Sequence, residues 1–107
     1  MSFRWPNKDP DESLDYSIDW SRFLDTATIS SVKWFVNNAE GVKTEIPAGQ
    51  IVNGIQNISQ TISSNGRVAT INLGLGTNNI EYTFFCQVTD NTSSVAERSI
   101  KIKVRQK

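Results

Sequence analysis

Residues 80–88 read Ile80-Glu81-Tyr82-Thr83-Phe84-Phe85-Cys86-Gln87-Val88. Every second residue is apolar: Ile80, Tyr82, Phe84, Cys86 and Val88. Glu81, Thr83 and Gln87 fall between them, with Phe85 the one apolar exception. A period of two sends successive side chains to opposite faces of a pleated strand, and aromatic and β-branched residues suit that surface. The stretch predicts a central strand with Tyr82, Phe84 and Cys86 turned into a core. It carries no chemistry of its own, and the rest of the chain supplies partners for its apolar face.

Working outward, residues 95–105 alternate in the same way. Ala96, Arg98, Ile100, Ile102 and Val104 share one face; Glu97, Ser99, Lys101, Lys103 and Arg105 share the other. The polar run 89–94 joins this segment to the first as a terminal β-hairpin. Upstream, residues 67–73 place Ala69, Ile71 and Leu73 on one face, ahead of a Gly74-Leu75-Gly76 turn or bulge that calls for positive φ. Residues 29–36 place Val32, Trp34 and Val36 together, and residues 14–21 place Leu14, Tyr16, Ile18 and Trp20 together. Residues 21–28 read as a loop in which Phe23 and Leu24 cap the core. The middle, 37–65, is the least periodic. Asn53-Gly54 signals a hairpin, Ser64-Asn65-Gly66 a turn, and short strands fit near 42–46 and from 51 onward. Residues 55–63 hold Ile55, Ile58 and Ile62, a spacing shared by strand and helix; their Ser, Thr, Asn and Gln content argues against a helix.

Many short strands with turn-rich connections predict an all-β sandwich. Trp34 on an early-middle strand is a feature of immunoglobulin-like sandwiches, here without the accompanying disulfide. Residues 13–107 are read as that domain and residues 1–12 as an extended N-terminal arm, since Pro6 and Pro10 interrupt regular pairing. Phe3 and Trp5 on the arm either fold back on the domain or insert into a partner protein, where aromatic anchors carry much of the binding energy.

Composition excludes several kinds of function. The 107 residues contain no histidine and one cysteine, which removes His-dependent nucleophile chemistry, His-ligated metals and Cys clusters. No cofactor is implied. Cys86 reads as a small buried apolar side chain. Eleven basic and eleven acidic residues balance to zero, unlike a general nucleic-acid binder. No apolar run approaches the ~20 residues of a membrane span, and no signal-peptide pattern opens the chain. Asp15 and Asp19 are exposed strand residues rather than an acid-base pair, and Asn57-Ile58-Ser59 and Asn91-Thr92-Ser93 are chance sequons. Acidic residues gather early (Asp9, Asp11, Glu12, Asp15, Asp19) and basic ones late (Arg98, Lys101, Lys103, Arg105). If the first and last strands are neighbours, Asp15 and Asp19 pair with Lys101 and Lys103; otherwise the basic strand offers an edge to an acidic partner.

The segment Lys8-Asp9-Pro10-Asp11-Glu12-Ser13-Leu14-Asp15-Tyr16-Ser17-Ile18-Asp19-Trp20, followed by Ser21 and preceded by Trp5-Pro6, resembles the opening of a group of small tailed-bacteriophage virion proteins. Their pattern is Lys-Asp-Pro-Asp-Glu-x-Leu-Asp-Tyr-x-x-Asp-Trp. Ile29-Ser30-Ser31 with Trp34, and Glu97-Arg98-Ser99-Ile100, are similar to later parts of the group. Both ends of the chain are covered; residues 37–65 are longer and less similar. The resemblance implies an immunoglobulin-like structural protein, not an enzyme. It implies an adaptor between tail or neck and a fibre or tailspike, made in the host cytoplasm and built into the virion. Partners would be other virion proteins, in multiple copies, with no nucleic acid, membrane or small-molecule substrate. Two other readings are a capsid decoration or head-fibre protein and a carbohydrate-binding module. Candidate contact residues are Phe3, Trp5, Pro6, Lys101, Lys103 and Arg105.

Overall fold

The computed structural model describes residues 3–106. Nine strands and one helical turn follow in order: β1 (Phe3–Arg4), β2 (Leu14–Asp19), α1 (Ser21–Leu24), β3 (Ile29–Asn37), β4 (Lys43–Glu45), β5 (Ile51–Val52), β6 (Ile55–Ile62), β7 (Val68–Leu75), β8 (Glu81–Asp90) and β9 (Val95–Lys103). They form two sheets, β1-β9-β8-β3-β4 and β2-β7-β6-β5. All pairings are antiparallel except β1 with β9, which run parallel. The chain crosses between sheets after β1, β2, β4 and β7, so each sheet buries its inner face against the other.

The alternation read from residues 80–88 holds from Tyr82 onward. Tyr82, Phe84, Cys86 and Val88 are fully buried, and β8 makes the central pairings, with β3 on one side and β9 on the other. Trp20, Trp34, Ile100 and Ile102 complete the same core. Ile80 departs from the expected face: β8 begins at Glu81, and Ile80 closes a turn by donating its N–H to the Thr77 carbonyl, leaving its side chain exposed. Residues 21–28, expected as a loop, begin with the single turn α1, closed by Phe23 and Leu24 donating to the Trp20 carbonyl; Leu24 is buried and Phe23 packs on the core as expected.

Burial, joined by the Glu97 carboxylate, pushes the Cys86 thiol up to about 12, with Trp20 and Arg98 acting the other way. A thiol raised in the fold contributes stability that is present below its unfolded value near 8.5–9 and is lost as pH rises toward 12. The urea midpoint should therefore fall between pH 9 and 11, and Cys86→Ala should flatten that fall. An equally steep decline in the variant would assign it to other groups, of which Tyr16, also raised to about 12 by burial, is the first.

The weakly periodic middle resolves into β4, β5 and β6. Asn53 and Gly54 both have positive φ, 52° and 83°, which the tight turn between β5 and β6 requires. Tyr82 locks this hairpin: its hydroxyl donates to the Asn53 carbonyl at 2.7 Å and accepts from the Thr77 N–H at 2.9 Å. Tyr82→Phe leaves both groups unpaired and should cost ~1–3 kcal/mol in chemical denaturation; an unchanged midpoint would show that water replaces the hydroxyl. A β-bulge between Asn57 and Ser59 breaks the alternation of β6, so Ile55 and Asn57 are buried and Ile58 is exposed. Asn57 lies inside, donating to the Ile46 carbonyl and to Gln60.

One expected pairing is absent. Asp15 and Asp19 lie on β2 and Lys101 and Lys103 on β9, and these strands belong to different sheets. Asp15 instead accepts from Asn72, and Asp19 from Ser21, whose hydrogen bonds hold the Asp19 carboxyl below the usual range.

Candidate partner-binding surface

The fold brings the two ends of the chain to one sheet edge. Phe3 lies beside Ile100 and Arg4 beside Lys101 in parallel register. Trp5 donates its N–H to the Lys101 carbonyl, Lys8 donates to the Lys103 carbonyl, and Arg105 donates back to Lys8. The prolines do not prevent this pairing, because Pro6 falls between the two hydrogen-bonded stretches and Pro10 after them. Of the candidate contact residues, Pro6 and Arg105 are exposed, and Lys101 and Lys103 are half-buried on the outward positions of β9. The side chain of Phe3 lies outside the described residues, as do Met1 and Ser2.

Trp5 folds back. Its ring stacks on Tyr16 at 4.7 Å between centroids, and Trp34 and Phe84 lie 6.0 and 6.2 Å away. It covers the open side of the sandwich between β2 and β9 while remaining partly accessible. A half-buried tryptophan in that position contributes to the stability of the domain as well as to any contact the arm makes. Trp5→Ala should cost ~1.5–3 kcal/mol, about half the range for a fully buried aromatic, as read from the urea midpoint. No change would mean that the stacked ring contributes nothing in solution.

Lys8 was not singled out by its sequence context. It is fully buried, and its Nζ donates to the carbonyls of Asp9 at 2.8 Å and Leu75 at 2.5 Å. Burial lowers its pKa, opposed by the nearby Glu12, Asp9 and Asp11 carboxylates. The following turn is closed around Asp9: its N–H donates to the Glu12 carboxylate, its carbonyl accepts from the Glu12 N–H, and its carboxylate accepts from the Asp11 N–H. The Leu75 carbonyl reaches Lys8 through a tight reversal in which Leu75 and Gly76 have φ of 59° and 105°. At Gly76 a Cβ would stand 2.8 Å from Val104 Cγ2, so both its backbone and its neighbour demand glycine.

The outer face of the five-stranded sheet carries a second group that the sequence reading passed over. Phe35 and Phe85 are direct cross-strand neighbours. Lys43 Nζ lies 4.7 Å from the Phe35 ring centroid and 5.1 Å from that of Phe85, and pairs with Glu97 at 2.5 Å. Arg4 pairs with Glu81 at 2.5 Å and holds that carboxylate below its usual range. Such exposed pairs contribute little to stability; they shape a mixed-charge surface around two aromatic rings. The signal was available in residues 80–88, where Phe85 is the one apolar residue at an outward position.

Comparison with known proteins agrees with the resemblance carried by residues 8–21. A search of curated proteins finds no match. Among solved structures, the chain is similar to one titled "crystal structure of chicken TCR for 2.0", with a TM-score of 0.70 and 9% identity over 99% of this chain. The match spans 54% of that chain, and at this identity it speaks for the immunoglobulin-like fold alone. A family model, the podophage GP4 fiber-tail adaptor protein gp77, matches residues 8–103. That span takes in both ends read as similar and the divergent middle, and the chain belongs to the podophage fiber-tail adaptor family gp77.

Proposed function

We propose that this protein joins tail and fibre through the edge where residues 3–6 run along β9, with Phe3, Trp5, Pro6, Lys101, Lys103 and Arg105 as its contact residues. Family membership makes it a structural, non-enzymatic tail adaptor and a virion component. Within that role, the fibre and tail proteins are its partners, and several copies per tail are part of the proposal. The observation that carries the choice of surface is the convergence of two segments nearly the whole chain apart on one exposed edge. The basic side chains there favour an acidic patch on the partner, which speeds encounter more than it tightens the complex. The readings as a capsid decoration and as a glycan-binding module lose ground: the family is one of fibre-tail adaptors, and Trp20 and Trp34 are buried at 1% exposure.

The test is the triple variant Lys101→Gln, Lys103→Gln, Arg105→Gln, supplied in trans to a phage lacking its own copy. Its denaturation midpoint should match wild type, and its recovery in purified particles should fall at least tenfold. Normal recovery would remove this edge as the contact.

A further inference from the structure

β2 ends its sheet: it pairs with β7 on one side, and no strand of the described residues lies on the other. The direction of its free groups follows from the register. Trp20 donates its N–H to the Arg67 carbonyl. Counting back along the antiparallel ladder, Ile18 with Ala69 and Tyr16 with Ile71 exchange hydrogen bonds with β7. The N–H and C=O groups of Asp15, Ser17 and Asp19 therefore point away from the sheet. A six-residue edge of about 20 Å thus presents a regular row of donors and acceptors.

A groove of about 340 Å³ opens beside this row. Trp5, Ile18 and Ile100 supply its apolar wall, Ser17 and Asp19 line it from β2, and Arg98 borders it from β9. It sits between the edge strand of one sheet and the β1–β9 edge of the other, where the two sheets part. The two features are complementary. A strand laid on β2 satisfies the row of main-chain groups, and every second side chain of that strand then points inward, into the groove.

We infer that this groove receives an extended segment of a partner tail or fibre protein, which adds a strand to β2. The inference rests on the adaptor reading and names a second contact surface for it. Strand addition of this kind draws affinity from main-chain hydrogen bonds and specificity from alternate side-chain pockets. The incoming strand places an apolar residue against Trp5, Ile18 and Ile100. Its outward residues, opposite Asp15 and Asp19, are basic, since opposite charges across a strand pair attract and like charges repel. That rule also disfavours a second copy of this chain. Two β2 edges paired so that all three outward residues are used on both strands set Asp15 opposite Asp19 twice.

Ser17→Pro tests the inference. The Ser17 N–H points away from β7, so proline at this edge position removes a donor for the incoming strand without removing a ladder bond. Ser17→Ala keeps the donor and serves as control. Both are supplied in trans to a phage lacking its own copy, beside wild type, and recovery in purified particles is measured. Wild type and Ser17→Ala should be incorporated alike, and Ser17→Pro at least tenfold less, at a denaturation midpoint close to that of Ser17→Ala. Equal incorporation of Ser17→Pro overturns the groove and leaves the adaptor reading standing; wild type absent from tails overturns the adaptor reading itself. Hydrogen exchange on unaltered protein gives a second measurement should the proline variant fold poorly. The Asp15, Ser17 and Asp19 amides should exchange at least a hundredfold faster in the free protein than in the tail. Slow exchange in the free monomer would show the edge covered by its own chain. A wild-type dimer in solution that protects these amides would assign the groove to a second copy. Either result contradicts a partner strand.

Discussion

Trp34→Ala should lower stability by ~3–5 kcal/mol, the range for truncating a fully buried aromatic. A domain of this kind has only ~5–15 kcal/mol in total. Trp34 is 1% exposed, faces Cys86 across the β3–β8 ladder, and is touched from the open side by Trp5. Its removal leaves a cavity that both sheets border, and neither can close it without breaking the ladders that fix their spacing. Urea denaturation followed by circular dichroism reads the effect directly. The variant should unfold at a much lower midpoint with an unchanged slope, because the folded and unfolded states expose the same surface as before. A midpoint within experimental scatter of wild type would place the indole outside the core and return it to consideration as a surface ligand group.

The second large effect is expected at Lys8. Lys8→Ala removes the three buried methylenes beyond Cβ, worth up to ~0.8 kcal/mol each. It also takes the Lys8 donor from the Leu75 carbonyl, at ~1–3 kcal/mol if water does not reach it, while the Asp9 carbonyl keeps its bond from the Glu12 N–H. We expect a net loss of ~2–4 kcal/mol once relaxation is allowed. Lys8→Met keeps most of the packing and should recover about half of that loss. The pH dependence has a definite sign. Burial lowers the Lys8 pKa in the fold, so between that value and the unfolded value near 10.4 the unfolded chain binds more protons, and this residue's contribution to stability rises with pH. It opposes the alkaline loss from Cys86 and Tyr16, and Lys8→Met should therefore steepen the fall in midpoint above pH 9. A shallower fall would contradict the buried-amine account.

These two residues mark what could be read from the sequence. Trp34 was legible because alternation fixes the face on which a strand residue lies, and β3 carries Val36 and Trp34 on its buried face, turned toward the other sheet. The same rule placed Trp20, Phe84, Cys86, Ile100 and Ile102 inward. Alternation does not say which strands are neighbours, so Asp15 and Asp19 were matched to Lys101 and Lys103 although β2 and β9 lie in different sheets. It also fails at bulges. Ile29 is buried out of phase with Trp34 because the ladder slips between Ile29 and Ser31, and Ile58 is exposed because of the slip after Asn57.

Lys8 was illegible for another reason. A lysine between asparagine and aspartate reads as solvated, and its carbonyl partner at Leu75 is 67 residues away. The docking of Trp5 required the same kind of long-range knowledge, which is why the sequence left its two fates open. On the side of function, zero net charge and the missing histidine removed whole classes of chemistry, and only the residues 8–21 pattern pointed to a particular role. The open edge of β2 had no sequence signal, because Asp15, Ser17 and Asp19 look like any solvent-facing strand residues. An edge becomes visible only when the sheet is complete.

Whether this sandwich stands between tail and fibre can be read from a cryo-EM map of the particle that carries it. The map should show an immunoglobulin-sized density in contact with both a tail protein and a fibre, fitted by residues 3–106 with Trp5 stacked on Tyr16. A density of that size on the capsid shell, with none at the fibre attachment point, would contradict that placement.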